Sequence, residues 1–155
     1  MGNVASNLTI HSTRRRRIGA SLLISAALVA AAPQPAEAAT RPVERRFARM
    51  VNETRGTTTL SPLRLNGRLS QVARRHSKRM AALGELFHSD LNRLLGRGIS
   101  SVGENVAMGG SLQEMLAAFM ASPPHAQNIL GTYSRTGVGV YRGGGRLWIT
   151  QIFAT

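Results

Sequence analysis

His88, Glu104 and His125 are the side chains of this sequence best suited to chemistry. The chain holds 4 His and 7 acidic residues among 155. Three of these scarce groups fall within Phe87-His88-Ser89, Gly103-Glu104-Asn105-Val106-Ala107 and Ser122-Pro123-Pro124-His125-Ala126-Gln127-Asn128-Ile129-Leu130. Each segment mixes turn formers with short apolar runs, so the polar groups can converge on one cleft. Two neutral imidazoles can hold a divalent metal, with water filling the remaining positions. They can instead act as general base and acid for attack by water, because imidazole titrates near neutrality. A third role, and on the residues alone the commoner one, is a hydrogen-bonded histidine with no chemistry. Glu104 suits a carboxylate that orients His88 or His125, and equally a buried acceptor that pins a loop. Ser89 and Ser122 adjoin the histidines, yet each also suits a local helix-end role, and no Gly-x-Ser-x-Gly elbow is present. Asn105 and Asn128 read as amides that fix loops. The absence of cysteine excludes thiolate zinc sites and cysteine nucleophiles.

The elements around these residues follow from pattern. Val43 to Thr54 reads as a helix, with Phe47, Met50 and Val51 on one stripe and Arg45, Arg46 and Arg49 on the other. Gly56 to Pro62 reads as a loop. Asn66 suits the N-cap of a second helix to about Leu83, with Gly84 as its stop. Leu69, Val72, Ala73, Met80 and Leu83 give that helix its apolar spacing, and the Arg74-Arg75 and Lys78-Arg79 pairs are expected to face water. His76 is expected at the edge of this helix, outside the cleft. Residues 85–103 look irregular, with a helical turn at Leu91 to Leu95. Val102 to Met108 is short and apolar. Ser111-Leu112-Gln113-Glu114 matches a capping box. It opens a helix through Ala121 with Leu112, Met115, Leu116 and Phe119 inward. Pro123-Pro124 suits the start of a further short helix through Leu130. Thr136 to Tyr141 and Leu147 to Phe153 alternate like strands, and Gly143-Gly144-Gly145 suits the hairpin turn between them. Trp148, Phe153, Met80, Met108, Met115 and Met120 are expected in the core.

The first 38 residues read as a secretory signal. Arg14 to Arg17 supply a charged start, Ile18 to Ala32 an apolar run, and Ala36-Glu37-Ala38 a small-x-small cleavage pattern. The apolar run has 15 residues, whereas a membrane span needs about 20. The expected mature chain, residues 39–155, suits one domain, with residues 39–42 a frayed start. Without Arg14 to Arg17 and Glu37 it carries 16 Lys+Arg against 6 Asp+Glu, a net charge of +10. That charge suits attraction to anionic cell-envelope polymers or lipids, and equally a solvated basic surface with no specific partner. Aromatic residues make up 5% of the chain, too few for a stacking single-strand nucleic-acid surface, so no specific nucleic acid is expected. A monomer is expected.

The ordered motifs Phe-His-Ser, Gly-Glu-Asn, Ser-Pro-Pro-His with Asn128-Ile129-Leu130, Gly137-Val138-Gly139-Val140 and Trp148-Ile149-Thr150-Gln151-Ile152-Phe153 resemble the CAP superfamily in its cysteine-free bacterial form. That superfamily comprises the cysteine-rich secretory, antigen 5 and pathogenesis-related proteins. The resemblance runs from about residue 44 to 154. It implies an α+β fold, a three-layer α-β-α sandwich with a small antiparallel sheet. It also implies a cleft lined by His88, Glu104 and His125, with His88 and His125 as candidate metal ligands for Zn, Mg or Ca. Family members carry a second cleft glutamate at the end of the helix before the last histidine. Ser122 occupies that place here and Glu114 lies about two turns upstream, so either is a candidate for the vacant role. The arginine that usually follows the last histidine is Ala126. The chain therefore reads as a secreted, non-catalytic binding module. A histidine- or metal-assisted peptidase-like hydrolase is the alternative, and a lipid or sterol carrier the third reading.

Overall fold

The computed structural model describes residues 35–96 and 98–155, with side chains described from Pro42 onward. The apolar leader and its charged start lie outside the described residues. Four helices and four strands follow in the order α1 (Pro35–Gly56), β1 (Arg64–Leu65), α2 (Gly67–Leu83), a 3-10 turn at Leu91–Leu94, β2 (Val102–Gly109), α3 (Leu112–Ala121), α4 (Pro123–Ile129), β3 (Arg135–Gly143) and β4 (Arg146–Ala154). Among the described residues no helix is long and apolar enough to cross a membrane.

The sheet order is β1-β3-β4-β2, with β2 and β1 at its edges. β4 pairs antiparallel with β3 and β2, as expected. β1, which sequence patterning does not reveal, joins parallel to β3 through Arg64 opposite Arg135 and Leu65 opposite Thr136. Two residues are too few for a periodic signal. The β3–β4 turn is Gly144-Gly145, with φ of 58° and 73°. A two-residue turn with both φ positive matches the twist of the flanking strands, and glycine adopts it without strain.

Alternation along the strands divides the core. Val138, Val140, Leu147, Ile149 and Phe153 face α1, α3 and α4, meeting Phe47, Val51, Leu112, Met115, Phe119 and Ile129. Ile152 and Ala154 face the other way and meet Leu69 and Ala73 of α2. The result is the expected three-layer α-β-α arrangement. Gly137 and Gly139 explain how closely α2 lies on the sheet. A Cβ on Gly139 would stand 2.1 Å from the Arg74 backbone nitrogen, and one on Gly137 2.3 Å from Leu69.

Local signals set the helix ends. Asn66 Oδ1 accepts the Leu69 N–H and Gly84 closes α2 at φ 72°. Ser111 Oγ accepts the Glu114 N–H at the start of α3. Four expectations need correction. Residues 39–42 are helical, because α1 begins at Pro35 and carries Pro42 inside it. Leu83 is 58% exposed, because the last turn of α2 packs through Met80 and Ala81 and leaves Leu83 outside. Met108 is 37% exposed, near the end of edge strand β2. Arg74 does not simply face water. Its Nε and Nη2 donate to Glu44 Oε1 and Oε2, each at 2.9 Å, tying α2 to α1.

That Arg74–Glu44 pair guards the β3 edge. β1 covers only two residues of it. Beyond them, Ser70 Oγ accepts the Val138 N–H and Glu44 Oε1 accepts the Val140 N–H. Side-chain acceptors thus occupy donors that an added strand would need.

Candidate functional site

Glu104 sits on β2 with its carboxylate on the α2 side of the sheet, since Val102, two residues earlier, packs against Leu69 and Ala73. The segment between α2 and the 3-10 turn brings His88 and Ser89 to it. The His88 ring nitrogen Nδ1 lies 2.9 Å from Glu104 Oε1. The Ser89 N–H donates to the same oxygen at 2.9 Å, and Ser89 Oγ donates to Oε2. The Glu104 side chain is 2% exposed while that of His88 is 62% exposed. A buried carboxylate therefore holds an open imidazole by one edge, which favours the Nδ1–H tautomer and leaves Nε2 outward as an acceptor. Glu104 fills both sequence roles at once: it orients His88 and it pins the loop through Ser89.

His125 approaches from the opposite layer. It lies in the first turns of α4, and Asn105, next to Glu104, faces that helix. Asn105 is fully buried. Its Nδ2 donates to the His125 carbonyl at 3.0 Å, and its Oδ1 accepts from Asn128 Nδ2 at 2.9 Å. Asn128 Nδ2 also reaches the Glu104 carbonyl at 3.2 Å. Gly103 admits this amide pair, because a Cβ there would stand 2.6 Å from Asn128 Oδ1 and from the Tyr133 hydroxyl. The amides fix α4 against β2, as their sequence context suggested. Adjacent residues of one edge strand thus organise the two histidines: Glu104 holds His88 on one face and Asn105 holds the His125 backbone on the other.

Ser122 does not cap α4 with its side chain. Its Oγ lies 2.8 Å from His125 Nδ1 instead. The His125 ring tilts against Phe119 with centroids 5.1 Å apart. Burial against this wall lowers the His125 pKa from its ordinary value, and the neighbouring His88 lowers it further. The two rings are thus electrostatic neighbours, each held at Nδ1 and each with Nε2 making no hydrogen bond among the described residues.

Glu114 stands apart from this arrangement. It is exposed on the first turn of α3, with its carboxylate beside Gly110, and it makes no hydrogen bond to His88, Glu104 or His125. Of the two candidates for the second glutamate's role, Ser122 is the one that touches His125. His76 is buried and outside the cleft, with Nε2 2.7 Å from the Phe87 carbonyl and its ring edge-on to Phe87. It anchors the segment that carries His88.

Sequence reasoning missed Arg55. This side chain is 2% exposed. Its Nη1 donates to the carbonyls of Ile129 and Gly131, and its Nε to that of Ser61. It closes the end of α4 and so helps hold His125 in place. The signal was present in its spacing, since Glu44, Phe47, Ala48, Val51 and Arg55 share one buried stripe of α1.

The donor set limits what the site can hold. Among the described residues no three His, Cys, Asp or Glu side chains gather as metal ligands. Both Glu104 oxygens are engaged, which leaves two imidazole Nε2 atoms. Imidazole suits zinc, whereas magnesium and calcium call for oxygen ligands. By donor chemistry alone, the pair of imidazoles would suit zinc better than magnesium or calcium. No oxygen cage for magnesium or calcium is built here.

Comparison with known proteins agrees with the fold and the motifs. Residues 48–153 match the profile of the cysteine-rich secretory protein family, CAP. The protein YkwD of Bacillus subtilis (strain 168) is 30% identical over 118 residues, which covers 70% of this chain and 46% of that protein. The chain thus spans less than half the length of this relative. An extracellular protein with an SCP domain from Bacillus anthracis str. Ames superposes with a TM-score of 0.63 at 25% identity, covering 72% of this chain and 39% of that one. An outer surface protein of Borrelia burgdorferi superposes with a TM-score of 0.67 at 15% identity, covering 75% of this chain and 94% of that one. By the profile match over most of its length, this chain belongs to the CAP family of cysteine-rich secretory proteins.

Proposed function

We propose that this chain is a non-catalytic binding module of the cell envelope or extracellular space, and that it takes its ligand at the two outward imidazole nitrogens beside β2. The observation that carries the reading is the commitment of Glu104. Its oxygens accept from His88, the Ser89 N–H and the Ser89 hydroxyl, which supports a positioning role for this carboxylate. The open, 62% exposed His88 ring suits contact with a large partner. Secretion is supported by the leader pattern of residues 1–38 and by the extracellular and outer-surface descriptions of similar proteins. Zinc is the metal this donor pair favours, held by Nε2 of His88 and His125; bound there, it would supply a Lewis-acid contact for a ligand oxygen or nitrogen.

One observation favours a hydrolase as the second reading. Ser122 Oγ stands 2.8 Å from His125 Nδ1, the separation expected of a nucleophile and its base. No acid orients that ring from behind among the described residues, which is the part a triad requires.

The test is a calorimetric Zn²⁺ titration of the full chain, run with a fluorogenic peptide hydrolysis assay. The binding reading expects saturable zinc uptake, lost in folded His88→Ala/His125→Ala, with hydrolysis at the buffer rate. Peptide turnover abolished by Ser122→Ala would replace it with the hydrolase reading.

A further inference from the structure

A pocket lies away from the histidines, between the start of α2, the 3-10 turn and the start of β3. Its volume is about 360 Å³, and Arg68, Arg93 and Arg135 line it together with Leu69, Leu94, Leu95 and Ile99. No described residue of this wall carries a carboxylate. We propose that this pocket binds a phosphate group carried on a small organic substituent.

Arg68, Arg93 and Arg135 all border this pocket, so an anion in it would relieve their mutual repulsion. Arg68 makes no hydrogen bond or ion pair among the described residues. Arg135 is held in place, since its Nη2 donates to the Gly98 carbonyl at 2.6 Å. Its Nε is buried and has no acceptor. A buried donor without a partner calls for an unseen one, and a fixed, under-satisfied guanidinium is what an oxyanion site offers. Arg93 meets Asp90 at 3.3 Å, but with 87% and 56% of the two side chains exposed that pair is weak. Arg93 can therefore turn inward at small cost. Planar guanidiniums match phosphate oxygens in pairs, which ammonium groups do not. Behind them Leu69, Leu94 and Ile99 pack together beside Val102. This apolar floor suits the carbon substituent of a phosphate ester and offers nothing to a bare ion. The shared chemistry is that of a glycerophosphate, whether in a lipid headgroup or in a phosphodiester polymer. The pocket contains none of the residues of the two-imidazole site, so either proposal can fail without the other.

The test is a titration of the full chain with sn-glycerol 3-phosphate in roughly physiological salt, with inorganic phosphate and phosphatidylglycerol vesicles as competitors. Saturable binding is expected, weaker for inorganic phosphate. Arg68→Gln should weaken it by about tenfold. Arg135→Lys should do the same although it keeps the charge, because it loses the paired geometry. Arg75→Gln, which removes a charge elsewhere on α2, should leave it unchanged. Displacement of glycerol 3-phosphate by vesicles would assign the site to a lipid headgroup, and failure of vesicles to displace it would assign it to a soluble or polymeric ester. Circular dichroism checks that each variant is folded. No saturable binding, or an equal loss in Arg75→Gln, would overturn the proposal by reducing the effect to net charge.

Discussion

Three donors share the two oxygens of Glu104, and the energetics of the site follow from that. Glu104→Gln keeps the shape but turns one acceptor into a donor facing donors. We expect a loss of about 1–3 kcal/mol in urea denaturation, the cost of leaving buried hydrogen-bonding groups unmatched. Zinc affinity should also fall, by about 10–100-fold, because the carboxylate orients the ring that binds. His125 carries a pH signature. Its folded pKa lies below its unfolded value, so the unfolded chain binds the proton first. The stability His125 contributes is complete above the ordinary histidine value of about 6.5 and declines as pH falls from there toward the lowered folded value. Thermal melts on either side of that value, one mildly alkaline and one mildly acidic, should show a smaller acid-induced drop in Tm for His125→Gln than for the parent. An equal drop would mean that folding does not lower the His125 pKa. At this scale the sequence shows which residues matter and hides how they are used. His88, Glu104 and His125 stand out by scarcity, but the bond from Ser122 Oγ to His125 depends on the turn into α4 and has no counterpart in composition.

The elements became legible where one or two residues decide them. Asn66 and Gly84 bound α2, Ser111 opens α3, and the glycine run marks the β3–β4 turn, each by local backbone chemistry. Elements decided by distant partners stayed hidden. β1 exists because Arg64 and Leu65 meet β3, a strand far along the sequence. Arg74 reads as a solvated helix charge until Glu44 is placed across the sheet edge from it. Gly137 and Gly139 resemble strand glycines, and only the tertiary fold shows α2 resting against them. Gly139→Ala should therefore cost at least about 3 kcal/mol, because backbone atoms cannot yield to the new methyl group. Gly67→Ala, in open space at the start of the same helix, should be neutral or stabilising by up to about 1 kcal/mol. Chemical denaturation of both variants separates close packing from glycine content. Arg55→Met should cost about 3 kcal/mol, since it strips a buried charged donor from the carbonyls of Ser61, Ile129 and Gly131, of which that of Ile129 is buried. It should also weaken zinc binding, because those carbonyls include the end of the helix that carries His125.

At the scale of the molecule, the proposed site draws on two layers of helices. The His88 segment is anchored on the α2 face through His76 and Phe87. His125 belongs to the α3–α4 face, and the edge strand β2 carries the two adjacent residues that hold them, Glu104 for His88 and Asn105 for the His125 backbone. The three-layer architecture was legible in the order of motifs, whereas the partition of the site between its faces was not, because strand order is a property of pairing. The central claim is that this edge holds two imidazoles by Nδ1 and presents both Nε2 atoms to one ligand. Long-range ¹H–¹⁵N correlation spectra of the histidine rings at mildly alkaline pH, recorded with and without an equivalent of Zn²⁺, test it directly. The account predicts the Nδ1–H tautomer at His88 before zinc, and concerted shifts of Nε2 in both His88 and His125 on adding it. A His88 ring protonated at Nε2, or zinc shifts confined to one ring, would contradict it.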